Sequence, residues 1–431
     1  EIVVPVQEQQ GFSALAAEAA DEGALSLAAD HDYGLAVDIG TTTLAAALVD
    51  CTDGKILATA TAVNSQRSFG ADVVSRIGAA CHGKGKALQK AVRRDLTRLM
   101  KQLLKDHPGT AARCRQMAIA ANTTMLHLLM GWPCDGLGDW PFHPVSLGGK
   151  TYRAQEVLGP QSPLADATVT LLPGMSTYVG ADITAGIWQC GLASSDDVSL
   201  FVDLGTNGEM VLGNKDQRFI ASAPAGPALE GGKLTWGTGS VPGAICGVRI
   251  ERGRAKVRTI DHAVPVGICG TGILEAMAGL VREGLVDETG KLVEPYFHKG
   301  FPLASTLDYQ RITLSQQDIR EIQMAKSAIR AGIESLIERS GISRQRVHQV
   351  FLAGGFGYYL DPQKAAVIGL LPADLAERTT AVGNTSLKGA IGLLTGAVTL
   401  EELQAIAAGV EEIVLGNDEA FQRLYIDYLN F

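Results

Sequence analysis

One motif occurs twice, and its recurrence limits the possible folds more than any other feature of the chain. Ala36-Val37-Asp38-Ile39-Gly40-Thr41-Thr42-Thr43 and Phe201-Val202-Asp203-Leu204-Gly205-Thr206-Asn207-Gly208-Glu209 each pass from apolar residues to a carboxylate, an apolar residue, a glycine and a threonine. An apolar run of this length bounded by glycine reads as a buried strand. The glycine permits a tight turn, and the threonines add hydroxyls to the donors that the turn's backbone N–H groups offer. The surroundings repeat in outline as well. In the first copy, strands are predicted at 35–39, 44–49 and 55–63, the last two joined by Cys51-Thr52-Asp53-Gly54, whose Asp-Gly pair signals a hairpin. In the second, strands are predicted at 199–204, 209–212 and 219–223. Each meander is followed by helices interleaved with strands, so the chain reads as α/β with two copies of one unit.

Further elements fill in this outline. A helix is predicted over 84–106, with Leu88, Val92, Leu96, Leu99 and Leu103 on one stripe. A buried strand is predicted at 117–121, and helices at 123–130 and 179–190. In the second half, Gly267-Ile268-Cys269-Gly270-Thr271-Gly272 opens a helix running to about Arg282, and another covers 316–339. Ser315 with Asp318 approximates a capping box at its start. Val350-Phe351-Leu352-Ala353-Gly354-Gly355-Phe356-Gly357 reads as a strand and glycine turn, and Asn384-Thr385-Ser386 precedes closing helices. Residues 131–175 are less regular, because Trp132-Pro133, Trp140-Pro141 and His143-Pro144 force extended or turn geometry, and an inserted subdomain is expected there. The expected domains are a tail of something upstream at 1–32, a first domain at 33–195 and a second at 196–431.

Bulk properties exclude several functions. The 431 residues suffice for two or three full cores, and the formal charge of −9 argues against nucleic-acid binding. The seven cysteines are widely scattered with no C-x-x-C unit, which speaks against a metal cluster within one chain and against a disulfide framework. A reducing cytoplasm is the expected compartment, with no membrane span and no signal peptide.

The two Asp-x-Gly-Thr turns and Ala353-Gly354-Gly355-Phe356-Gly357 resemble the phosphate-1, phosphate-2 and adenosine motifs of the superfamily of acetate and sugar kinases, heat-shock chaperones and actin. That resemblance implies two ribonuclease-H-like (actin-like ATPase) domains facing an ATP cleft. Together with Ala121-Asn122-Thr123-Thr124-Met125-Leu126-His127 and Gly267-Ile268-Cys269-Gly270-Thr271-Gly272, the motifs look most like one branch, the ATP-dependent reductive activators of corrinoid proteins. The similarity runs from about residue 33 to the C-terminus. It implies that ATP helps drive one low-potential electron onto cob(II)amide, giving the cob(I)amide nucleophile of methyl transfer. The electron-donating 2Fe–2S centre of that branch has no cysteine set here, so it is expected on a missing N-terminal domain or a separate donor. The implied partners are a corrinoid protein and a low-potential electron donor, with a homodimer as an open option.

The residues allow specific roles within this frame. Asp38 and Asp203, at strand ends, suit Mg²⁺ or its waters, since that ion dehydrates reluctantly; a turn-starting Asp is the bland alternative. Gly40, Thr41, Thr42 and Thr43, and Gly205, Thr206 and Asn207, are the candidate phosphate holders. Asp182, near a helix start, suits positioning of a water, although a carboxylate favoured by the helix dipole reads equally well. Gly354 and Gly355, with Phe356, would let the backbone lie against adenosine. Gly270, Thr271 and Gly272 offer helix-terminal N–H groups, and Glu275 and Glu230, the latter following Gly226, are candidates for the ribose side. Cys269 and His127 read as packed core residues. Two alternatives share the fold: a small-molecule kinase with Asp182 as base, and a nucleotide-gated interaction module whose contact surface is 131–175.

Overall fold

A computed structural model describes residues 31–160, 162–164, 166–354, 360–416 and 418–431. The expected tail at 1–32 falls almost entirely outside the described residues, as do Gly355 and Phe356. The strands are β1 (Tyr33–Ile39), β2 (Thr43–Asp50), β3 (Ile56–Val63), β4 (Cys114–Ala121), β5 (Lys150–Arg153), β6 (Thr168–Leu171), β7 (Val198–Leu204), β8 (Gly208–Gly213), β9 (Arg218–Ala223), β10 (Ala244–Glu251), β11 (Arg254–Thr259), β12 (Gly267–Ile268), β13 (Phe301–Ser305), β14 (Arg311–Leu314), β15 (Val347–Ala353), β16 (Thr379–Gly383) and β17 (Glu411–Glu412). The helices used below are α1 (Gly85–Lys105), α2 (Thr123–Met130), α3 (Ala181–Gln189), α4 (Gly270–Arg282), α5 (Gln316–Ser340), α6 (Pro362–Val367), α7 (Thr385–Leu394) and α8 (Leu400–Ala408). Among the described residues, no helix is long and apolar enough to cross a membrane.

Two compact units result, and they do not follow sequence order. The first joins the residues up to Gln189 with Thr385–Gly409; the second joins Cys190–Asn384 with Val410–Phe431. The sheet of the first unit has the order β3-β2-β1-β4-β6-β5, and the main sheet of the second has β16-β15-β7-β8-β9-β17. In both, the meander is antiparallel and its first strand pairs in parallel with a later one, β1 with β4 and β7 with β15. The order of pairing is therefore duplicated along with the motif. The second unit adds a three-stranded sheet, β11-β10-β12, and the hairpin β13-β14, in a region where the sequence pattern had suggested no strands.

The local sequence explains these elements. β1 and β7 are buried on both faces, as expected for strands with parallel neighbours, and read as continuous apolar runs up to the aspartate. The predicted stripe of α1 is buried along its length. At α5, the Ser315 hydroxyl accepts from Asp318 N at 3.1 Å while the Asp318 carboxylate accepts from Ser315 N at 2.8 Å, which completes the reciprocal cap. Gly341, at φ 67°, ends the helix in the left-handed conformation. Strands generally extend beyond their apolar stretch: β4 starts at Cys114 through the exposed Arg115 and Gln116, where periodicity carries no signal. α3 starts at Ala181, two residues later than its apolar run, because Gly180 lies so close to Asn122 that a Cβ would be 2.5 Å from its Cα. Part of the irregular stretch 131–175 is sheet, since β6 pairs with β4 and β5 with β6.

The helix α7 positions the first unit's site. It packs on β1, β4 and α3, and its Gly389 and Gly392 sit against Ala185 and Trp188, so a methyl group at either glycine would collide with those side chains. This close approach brings the start of α7 to the end of β1.

Candidate functional site

The aspartate is the only residue of β1, and the only residue of β7, that is not buried. In the first unit, Asp38 Oδ1 accepts a hydrogen bond from the Ser386 hydroxyl at 2.8 Å, delivered by the first turn of α7. The turn that follows is closed by Gly40 N–H donating to the Thr43 carbonyl at 3.0 Å. A side chain at Gly40 would place Cβ 2.6 Å from that oxygen, so the position requires glycine. Asn122 caps α2 by accepting from Met125 N–H at 2.9 Å, and its amide donates to the Thr41 hydroxyl at 3.1 Å. That second bond ties the turn to the end of β4. Thr42 is half-buried and Thr43 exposed.

Asp182 belongs to the same cluster. Its carboxylate accepts from Ile183 N–H at 3.0 Å in the first turn of α3. Burial, reinforced by the neighbouring charge of Asp38, pushes its pKa up to about 7. A carboxylate at a strand end thus lies close enough to one at a helix start to raise the pKa of the latter. The helix-start N–H groups of Asp182 and Ile183 pull the pKa down, as the alternative reading expects, but burial outweighs them.

In the second unit, a glycine closes in on the aspartate. Gly354 lies beneath the end of β7 at φ 119°, and a Cβ there would be 2.8 Å from the Leu204 carbonyl and 3.1 Å from Asp203 Oδ1. The Thr206 hydroxyl donates to Glu230 Oε2, and Asn207 Nδ2 donates to Glu209 Oε1 at 3.3 Å. Glu230 ends a 3-10 turn, Pro227–Glu230, entered through Gly226 at φ 74°. The structure therefore brings together Asp203, Thr206, Glu230 and Gly354, with Gly205 and Asn207 in the same turn. Gly270, Thr271 and Gly272 are the buried first residues of α4, and Gly272 packs against the Ile245 carbonyl with no room for a side chain. Glu275, one turn further, accepts from Val248 N–H at 2.8 Å and pairs with Lys364 Nζ at 2.8 Å. Lys364, in α6, drew no attention in the sequence because a lone lysine after a proline carries no pattern.

Cys269 is buried; burial pushes its thiol pKa up, and its sulfur contacts the Ile245 carbonyl at 3.3 Å. His127 is fully buried, with Nδ1 bonded to the Thr123 carbonyl at 2.8 Å and Nε2 accepting from Val145 N–H at 3.0 Å. Both are packed residues, as the sequence suggested.

Residues 33–195 match the family described as the RACo middle region, and residues 197–431 match the one described as the C-terminal ASKHA domain of RACo. The chain belongs to the reductive activators of corrinoid proteins. A corrinoid activation enzyme, RamQ of Eubacterium limosum, is 33% identical over 415 residues, covering 91% of this chain and 69% of the relative. A reductase of the Co(II) methylated amine-specific corrinoid protein, from Methanosarcina barkeri, is 25% identical over 431 residues, covering 93% and 77%. A solved reductive activator for corrinoid, iron-sulfur protein superposes with a TM-score of 0.88 at 34% identity, over 94% of this activator and 67% of that chain. The fold is accordingly the actin-like α/β ATPase fold, which implies nucleotide binding. The Asp38 carboxylate, with one oxygen on the Ser386 hydroxyl, is a hard oxygen ligand of the kind that suits Mg²⁺.

Proposed function

We propose that this activator binds and hydrolyses ATP in order to drive reduction of cob(II)amide to cob(I)amide in a corrinoid protein of a methyltransferase system, in the cytoplasm. The observation that carries this reading is the duplicated turn: two strands buried throughout except for an aspartate, each followed by a glycine–threonine turn rich in donors. Asp38 and Asp203 are the residues that would hold Mg²⁺, directly or through its waters, and the ion would neutralise phosphate charge. Gly40, Thr41, Thr42 and Thr43 in one unit, with Gly205, Thr206 and Asn207 in the other, would bind phosphate oxygens. Asp182, titrating near neutrality, would take the proton of the attacking water. Gly226, Glu230, Gly270, Thr271, Gly272, Glu275 and Gly354 are assigned to the nucleoside side, with Gly355 and Phe356 of the same sequence motif.

The reduction adds one electron to cobalt. Among the described residues the seven cysteines are all free thiols, and none belongs to a group of potential metal ligands. The electron is therefore assigned to a 2Fe–2S donor outside these residues. Mixing the chain with its corrinoid protein and a reduced donor tests the proposal: visible spectra should show the cob(I)amide band only when ATP and Mg²⁺ are present. Reduction at the same extent without nucleotide would defeat it.

A further inference from the structure

We propose that Asn64 is the positioning residue that gives the Gly40–Thr43 turn its affinity for anions, an inference resting on the nucleotide reading above. Asn64 is the first residue after β3 and is fully buried. Its backbone N–H donates to the Thr42 carbonyl at 2.9 Å, and its side-chain Nδ2 donates to the Gly40 carbonyl at 2.9 Å. The Thr43 carbonyl is engaged by Gly40 N–H. Three of the four carbonyl oxygens in the turn are thus held by protein donors, two of them by one residue. A carbonyl oxygen turned toward a phosphate would repel it, whereas backbone N–H groups and hydroxyls attract it. With three of its acceptors held in this way, the turn leaves few carbonyl oxygens to face a ligand. The Thr41 hydroxyl fits the same scheme, because it accepts from Asn122 and its own hydrogen must go to another acceptor.

Asn64 is itself fixed. Its Oδ1 accepts from Gln66 N–H at 3.1 Å, which caps the 3-10 turn Ser65–Ser68, and the buried Gln66 amide donates to the Leu88 carbonyl at 3.0 Å in α1. Rotating the amide of Asn64 would break the cap and the bond to Gly40 together. The position after β9 in the second unit does not offer this device. The residue at the same point after β9 is Pro224, which has no N–H and is exposed. The repeat has therefore kept the turn and not this support.

A solely structural Asn64 would affect folding but not the contribution of the phosphates to binding. The test measures affinities for ATP and for adenosine, with Mg²⁺, in the wild type, Asn64→Asp and Asn64→Ser. Asn64→Asp keeps the shape and the cap but sets a carboxylate oxygen against the Gly40 carbonyl. Asn64→Ser keeps the cap and the backbone N–H but no longer reaches Gly40. ATP affinity should fall about 10-fold or more in Asn64→Asp, a difference of about 1.4 kcal/mol. It should fall by a smaller factor in Asn64→Ser, and adenosine affinity should stay unchanged in both. Equal losses for ATP and adenosine, or no loss in a folded variant, would overturn the inference. If Asn64→Asp does not fold, Asn64→Ser decides. A wild type that binds adenosine but gains nothing from the triphosphate would overturn this inference alone, whereas a wild type that binds neither would remove the nucleotide reading with it.

Discussion

The two turns share a strand, an aspartate, a glycine and a threonine, yet their surroundings differ in kind. Around Asp38 the supports are polar side chains from distant parts of the chain: Ser386 from α7, Asn122 at the end of β4, and Asp182 with its raised pKa. Around Asp203, Gly354 closes in beneath β7, and the Thr206 hydroxyl donates to Glu230. The difference teaches that duplication of the unit preserved the strand, the aspartate and the glycine–threonine turn, while a carboxylate with a raised pKa lies beside the strand-end aspartate of the first unit. On the proposed function, the first turn would face the reacting end of the nucleotide and the second would contribute to binding.

If that contrast is right, the largest effect should come from Asp182→Asn. ATP turnover should fall by about 100-fold or more, in the range for loss of a general base, while ATP affinity stays close to wild type. An equal loss of affinity would make the two turns alike and break the comparison. Next in size is Gly354→Ala in the second unit. The left-handed φ of 119° and the predicted contacts with Leu204 and Asp203 should cost about 1–3 kcal/mol of local strain. This should appear as weaker ATP binding with turnover at saturation largely retained. Ser386→Ala, which takes one donor from Asp38, should cost about 1 kcal/mol, a several-fold loss in ATP affinity or turnover.

A further effect is on stability rather than turnover and has a defined pH dependence. Asp182 keeps its proton in the fold up to about pH 7, but when unfolded it loses the proton near its usual value of 3.8. The folded state thus binds the extra proton between those limits, and the stability it contributes is present at low pH and lost as pH rises through 7. In apo protein with chelator present, Asp182→Asn should raise Tm relative to wild type, by an amount that grows from pH 4 to pH 7 and then levels off. A pH-independent difference would contradict the raised pKa.

Much of this was legible in the sequence, for reasons that particular residues make clear. The Asp-x-Gly-Thr repeat is local: the apolar run, the carboxylate and the turn residues lie next to one another, so strand, turn and half-buried aspartate can be read together. The stripe of α1 and the reciprocal cap of α5 are local in the same way. What escaped was non-local. Ser386 lies 348 residues from Asp38 and reaches it because Gly389 and Gly392 let α7 approach α3, which no periodicity reveals. The raised pKa of Asp182 depends on burial beside Asp38, whereas the sequence placed it only at a helix start. The strands β10 to β14 were missed because their hydrophobic alternation is diluted by arginine and glycine, as in Arg254-Ala255-Lys256-Val257-Arg258. Lys364 and Asn64 have no motif at all, and only their hydrogen bonds single them out.

The central claim is that both copies of the turn are needed for ATP turnover. It is tested most directly by measuring Mg²⁺-dependent ATP hydrolysis in Asp38→Ala and Asp203→Ala beside the wild type. The account predicts that each single substitution abolishes turnover, although the two aspartates lie in different units. Undiminished hydrolysis in Asp203→Ala would contradict it.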